Sequence, residues 1–70
     1  MNATNLVIHE INRAGWIVSR RLNDDTITFR AIRRAGGQAD QTESCNNSLA
    51  EEYRAVCRLA AACGSPQLQN

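Results

Sequence analysis

WIVSRRLNDDTITFRAIRR, residues 16–34, is the stretch whose reading decides the fold. Apolar residues recur at every second position on either side of Asn23-Asp24-Asp25, three residues with strong turn chemistry. With Asp24-Asp25 as a two-residue turn, Leu22 faces Ile27, Arg20 faces Phe29, Val18 faces Ala31 and Trp16 faces Arg33. These positions share one side of the hairpin, and all but Arg20 and Arg33 are apolar. The other side carries Ile17, Ser19, Arg21, Asn23, Thr26, Thr28, Arg30, Ile32 and Arg34 and is mostly polar. One dry face and one wet face are what an antiparallel sheet covered on a single side requires. A slip of one residue would mix the two sets, so the pattern specifies its own register.

Working outward, Thr4 to Ala14 has the spacing of a helix, with Val7, Ile11 and Ala14 on one side. Thr4 or Asn5 is placed to cap its start, and Gly15 fits just past its end. Glu10 and Arg13 stand three apart, a spacing that lets them pair. The β-branched pair Val7-Ile8 is also compatible with a strand. On the far side of the hairpin, Gly36-Gly37 offers a second turn. A fold-back there sets Arg33 opposite Asp40 and Arg30 opposite Glu43, two opposite-charge pairs that favour a third strand over Gln38–Ser44. The polarity of that stretch fits a short edge strand or an ordered loop equally well. Ser48-Leu49-Ala50-Glu51 matches a capping box, with Ser48 as the cap and Glu51 reaching back. Leu49, Tyr53, Val56, Cys57 and Ala60 then repeat at helical spacing up to Cys63, where Gly64 and Pro66 are stop signals. The expected architecture is α+β, two layers in the order α-β-β-(β)-α. Both helices pack on one face of an antiparallel sheet of two or three strands. The domain spans residues 4–64, with 65–70 as a flexible tail.

Seventy residues and 7.7 kDa allow one small domain. At that size folding buries only about 60% of the extended chain's surface, which leaves little material for a deep catalytic cleft. Hydrophobic residues at 43% and charged residues at 21% give the balance of a globular chain rather than a disordered one. The apolar runs Leu6-Val7-Ile8 and Trp16-Ile17-Val18 are too short to span a membrane, and no basic-then-apolar leader opens the chain. A cytoplasmic location is therefore expected. All the basic residues are arginine. Residues 13–34 hold six of them against Asp24 and Asp25, whereas residues 35–52 hold four carboxylates and no arginine. The formal net charge of +1 argues against a dedicated electrostatic nucleic-acid binder while allowing a basic face on a dipolar molecule.

Candidate sites follow from side-chain chemistry. Arg21, Arg30 and Arg34 share the wet side of the hairpin, and their forked guanidinium groups suit phosphate or carboxylate. That side has no aromatic residues on which bases could stack. Ile17 and Ile32 oppose one another on it and suit a protein partner instead. Asp24-Asp25 and Glu51-Glu52 are explained by a turn and by the first turn of a helix, not by acid–base catalysis. Cys45, Cys57 and Cys63 form neither a CxxC pair nor a zinc-ligand set, and free thiols are expected. Cys45, read as lying in the loop before a helix cap, is the candidate reactive thiol, with His9 as the only available base. Gly36-Gly37 lacks the surroundings of a phosphate-binding loop. No catalytic residue, metal site or cofactor is assigned.

The first helix, Gly15-Trp16, the Asn23-Asp24-Asp25 turn and Ala55-Val56-Cys57-Arg58-Leu59-Ala60-Ala61 together resemble the small phage-type αβ-sandwich domains. In those domains an N-terminal helix and a Gly-Trp lead into a hairpin that a helix then closes. The resemblance covers most of residues 4–63 and implies a fold and almost nothing else, a phage or mobile-element origin being one option it leaves open. The order of elements is also similar to the double-stranded RNA-binding domain. That family's basic patch falls at the start of the second helix, where this chain carries Glu51 and Glu52 beside Ser48, so no RNA-binding residue carries across. The expected function is a small non-catalytic interaction or accessory domain that self-associates or binds a protein through the surface around Ile17 and Ile32 or through a free sheet edge. The alternative is nucleic-acid binding through Arg20, Arg21, Arg30, Arg33 and Arg34.

Overall fold

A computed structural model of the chain describes residues 2–37 and 39–64. Its elements are α1 (Ala3–Arg13), β1 (Trp16–Asn23), β2 (Thr26–Arg33), β3 (Gln41–Asn46) and α2 (Leu49–Ala62). The fold is α+β in the order α-β-β-β-α, with one antiparallel sheet ordered β1-β2-β3. The expected tail, residues 65–70, lies outside the described residues, as does Gln38.

The hairpin has the register that its alternation specifies. Trp16 pairs with Arg33, Val18 with Ala31, Arg20 with Phe29 and Leu22 with Ile27. Asp24 takes a φ of 57°, a left-handed conformation that Asp tolerates in a tight turn. Of the inward face, Trp16, Ile27, Phe29 and Ala31 are fully buried and Val18 is half-buried. Leu22, next to the turn, is instead 51% exposed, because it lies where helical cover ends.

Both helices lie on this one face. α1 rests on β1 and on α2, and α2 rests on β3 and β2. The core joins Val7 and Ile11 of α1 to Ala55, Val56, Leu59 and Ala60 of α2 over Trp16, Ile27 and Phe29. Helix faces differ from the expected stripes by part of a turn. In α1 the buried residues are Thr4, Val7 and Ile11, and Ala14 is exposed as the C-cap. The N-cap is Asn2, whose side chain accepts the Asn5 N–H at 2.8 Å, so Thr4 sits inside the helix rather than capping it. In α2, Leu49 is 77% exposed, while Tyr53 and Cys57 are half-buried at the margin. The inward positions fall instead to Ala55, Val56, Leu59, Ala60 and Cys63.

Half of the capping box forms. Ser48 Oγ accepts the Glu51 N–H at 3.2 Å, whereas the Glu51 carboxylate pairs with Arg54 at 2.7 Å. The Ser48 N–H is already held by the Asn46 carbonyl at 2.9 Å, which leaves Glu51 no backbone donor to reach back for.

A third strand is present, over Gln41–Asn46 rather than 38–44, and its register differs by one residue from the expected one. Phe29 pairs with Glu43, Arg30 with Thr42 and Ile27 with Cys45. The connection is longer than a two-residue turn. The Gly36 N–H closes a turn on the Arg33 carbonyl at 3.1 Å, and Gly36 and Gly37 both have positive φ. A long loop leaves the parity of the next strand open, and side-chain chemistry settles it. This register turns Cys45 toward the core and gives Glu43 to Arg58 of α2 at 2.8 Å. The cross-strand pairs Arg33–Asp40 and Arg30–Glu43 do not form; Arg30 pairs with Asp40 instead.

Candidate interaction surface

Among the described residues, no element covers the side of the sheet away from the helices. Its rows, read across the register, are Ile17–Ile32, Ser19–Arg30–Thr42, Arg21–Thr28–Ser44 and Asn23–Thr26–Asn46. Ile17 is 52% and Ile32 40% exposed, so two β-branched apolar side chains stand together in water at one end of an otherwise polar face. The hydroxyls of Thr28 and Ser44 share a hydrogen bond of 3.1 Å further along it.

The candidate arginines are not gathered into one cationic patch. Arg30 is neutralised by Asp40 beside it. Arg34 lies past the end of β2, where its N–H donates to the Gly15 carbonyl at 2.8 Å and its guanidinium reaches the Trp16 carbonyl at 3.5 Å. Arg21 alone stands on the face without a carboxylate among the described residues. The structure brings together Ile17 and Ile32 and separates Arg21, Arg30 and Arg34.

The two arginines of the inner face are accommodated differently. The guanidinium of Arg33 lies over the Trp16 ring at 5.1 Å from its centroid, in cation–π geometry. Arg20 makes two parallel hydrogen bonds to Glu52, at 3.1 and 3.3 Å, and Glu52 is buried. The bond to Glu52 holds the Arg20 guanidinium above its ordinary pKa, against the opposing effect of desolvation. This pair lies beside a cleft of about 280 Å³ where the starts of α1 and α2 meet β1, lined also by Asn5, Ile8 and Leu49. Thirty-two residues separate Arg20 from Glu52, and no local pattern signals the pair.

Cys45 does not have the surroundings of a nucleophile. It lies in β3 opposite Ile27 rather than in a loop before a cap, and it packs against the core. Burial, then the carboxylates of Glu52 and Glu51, push its thiol pKa up, and this outweighs Arg58 and Arg20. Burial raises the Cys63 thiol as well. Cys45 and Cys63 form no disulfide among the described residues. Among the described residues no group of three His, Cys, Asp or Glu is placed to hold a metal ion, and no helix is long and apolar enough to cross a membrane.

The molecule belongs, by architecture, to the small two-layer α+β domains with one uncovered sheet face. Compared with family models, curated proteins and solved structures, the chain finds no match in any of the three.

Proposed function

We propose that the chain is a non-catalytic interaction module whose contact surface is the uncovered sheet face around Ile17 and Ile32. The observation that carries this reading is that cross-strand pair, about half exposed on both residues and flanked along the strands by Ser19 and Arg30. Apolar residues set in a polar surround are the composition of an interface centre with its rim. The raised Cys45 thiol supports the non-catalytic part, because a nucleophilic cysteine needs a lowered pKa.

Nucleic-acid binding fits the same face less well. Such affinity comes from cations that are free to neutralise phosphate. Arg20 and Arg30 are already engaged by Glu52 and Asp40, and Glu51 and Glu52 open α2.

Affinity capture from native extract with the immobilised chain, its Ile17→Asp variant and its Ile32→Asp variant tests the proposal. Both substitutions fall on exposed positions, so circular dichroism is expected to be unchanged. Species held by the parent, further copies of the chain included, are expected to be lost from both variants. Equal capture by all three would place the contact elsewhere.

A further inference from the structure

The ion pairs of the fold leave a residue of charge that is sorted by position. Arg13, Arg20, Arg30, Arg54 and Arg58 are taken by Glu10, Glu52, Asp40, Glu51 and Glu43. Among the described residues, the carboxylates left without an arginine are Asp24 and Asp25, both at the β1–β2 turn. Of the three arginines without a carboxylate among the described residues, Arg33 and Arg34 stand at the other end of the same hairpin and Arg21 stands on the uncovered face three residues before Asp24, so the turn end keeps a net negative charge and the far end a positive one. Two strands of eight residues hold these ends about 25 Å apart.

Among the described residues, four of the five large exposed apolar side chains follow the same division, Leu6 of α1 being the fifth. Leu22, 51% exposed, flanks the acidic turn. Leu49, 77% exposed, opens α2 two residues after Asn47, whose N–H binds the Asp25 carbonyl at 2.9 Å. Ile17 and Ile32 are at the arginine end, one step along the strands from the Trp16–Arg33 pair. One end therefore offers apolar surface with two carboxylates, and the other offers apolar surface with two guanidinium groups.

Resting on the interaction reading above, we infer that the partner is a second copy of this chain, bound head to tail, with the Asp24-Asp25 turn and Leu22 of one copy against Ile17, Ile32, Arg33 and Arg34 of the next. A contact between unlike patches is heterologous, so copies add in open chains unless a ring closes. A face-to-face pairing about a two-fold axis along the strands sets like ends together, and one about an axis across the strands matches the charges but leaves Leu22, which lies on the helix side of the sheet, out of the contact. On a molecule 31 × 27 × 18 Å across, an end-to-end contact covers less than the roughly 800 Å² per partner of a standard stable interface, so it forms at high protein concentration and weakens with salt.

Two variants, each blind at one end, test the arrangement. Asp24→Lys with Asp25→Lys removes the acidic end, and Ile17→Asp with Ile32→Asp removes the apolar part of the basic end. In sedimentation velocity at millimolar chain, the parent is expected to show species beyond a dimer that disappear in high salt. Each double variant alone is expected to sediment as a monomer, and their equimolar mixture as a one-to-one dimer and nothing larger. A parent that stays monomeric at every concentration overturns the proposal. Self-association that survives the Asp24/Asp25 change and is lost with the Ile17/Ile32 change also overturns it, while leaving the sheet-face reading of function intact. A Leu22→Ser variant, in which the turn residues keep their native conformation, is expected to associate at least several-fold more weakly than the parent.

Discussion

At the scale of single residues, the arrangement that matters most for stability is the Arg20–Glu52 pair. Removing one partner from a half-buried ion pair leaves the other desolvated and unsatisfied, which costs more than the pair contributes. Arg20→Ala is expected to lower the unfolding free energy by about 1–2 kcal/mol, a figure reduced because Arg20 itself is partly exposed. Arg20→Met with Glu52→Leu, which removes both charges, is expected to recover most of that loss, as urea titrations of the variants will show. The thiols set a pH limit. The folded state holds the Cys45 and Cys63 protons more tightly than the unfolded chain does, and burial is the first cause for both. Their stabilising contribution is complete below the free-thiol pKa of about 8.5 and is lost as pH climbs through the raised folded-state values. Urea midpoints are expected to fall more for the parent than for a Cys45→Ala, Cys63→Ala variant as the buffer is taken through that alkaline range. Neutral-pH alkylation of Cys45 is expected to be slower than that of a free thiol.

At the scale of elements, what holds each piece is local. Ser48→Ala removes the acceptor of the Glu51 N–H and is expected to cost about 1 kcal/mol. Gly15 joins α1 to β1 at a φ of 105°, and its Cβ position is open space. Gly15→Ala is therefore expected to destabilise by about 1 kcal/mol or more from backbone strain alone, visible as a lower thermal midpoint. The same locality explains which elements are legible from sequence. The β1–β2 register is readable to the residue because a two-residue turn and a period of two leave one solution. β3 is half readable: the turn at Gly36-Gly37 allows a third strand, but the polar stretch beyond fits a loop equally well, and a connection of uncertain length leaves the strand's parity to contacts with α2. The inward faces of both helices are readable only to within part of a turn. Ala55 and Leu59 fall outside the stripe read from the sequence and are core, whereas Leu49 falls within it and is in water. Of the candidate site, the Ile17–Ile32 juxtaposition comes directly from the hairpin pattern. The neutralisation of Arg30 by Asp40 depends on the true loop path, and the Arg20–Glu52 pair on the packing of α2.

At the scale of the whole molecule, one thin core must hold two helices and three strands together. Trp16 and Phe29 are its largest members and are completely buried. Trp16→Ala is expected to cost about 3–5 kcal/mol, enough to unfold a domain of this size at room temperature and to collapse its amide NMR dispersion. Ile17→Asp, one residue along the chain but on the uncovered face, is expected to leave that dispersion intact. The contrast between neighbours in sequence is the clearest check that the two faces of the sheet have different jobs.

Trp16 also gives the molecule an optical property. It is the sole tryptophan, its indole nitrogen has no hydrogen-bond acceptor among the described residues, and a guanidinium lies over its ring. An indole shielded from water and from acceptors fluoresces toward the blue, and unfolding moves the emission to the red. Under the proposal of a contact at the Ile17–Ile32 end, a partner that displaces the Arg33 guanidinium is expected to shift this emission. The unlabelled chain thus carries its own reporter of the state of its interior and an optical test of that contact.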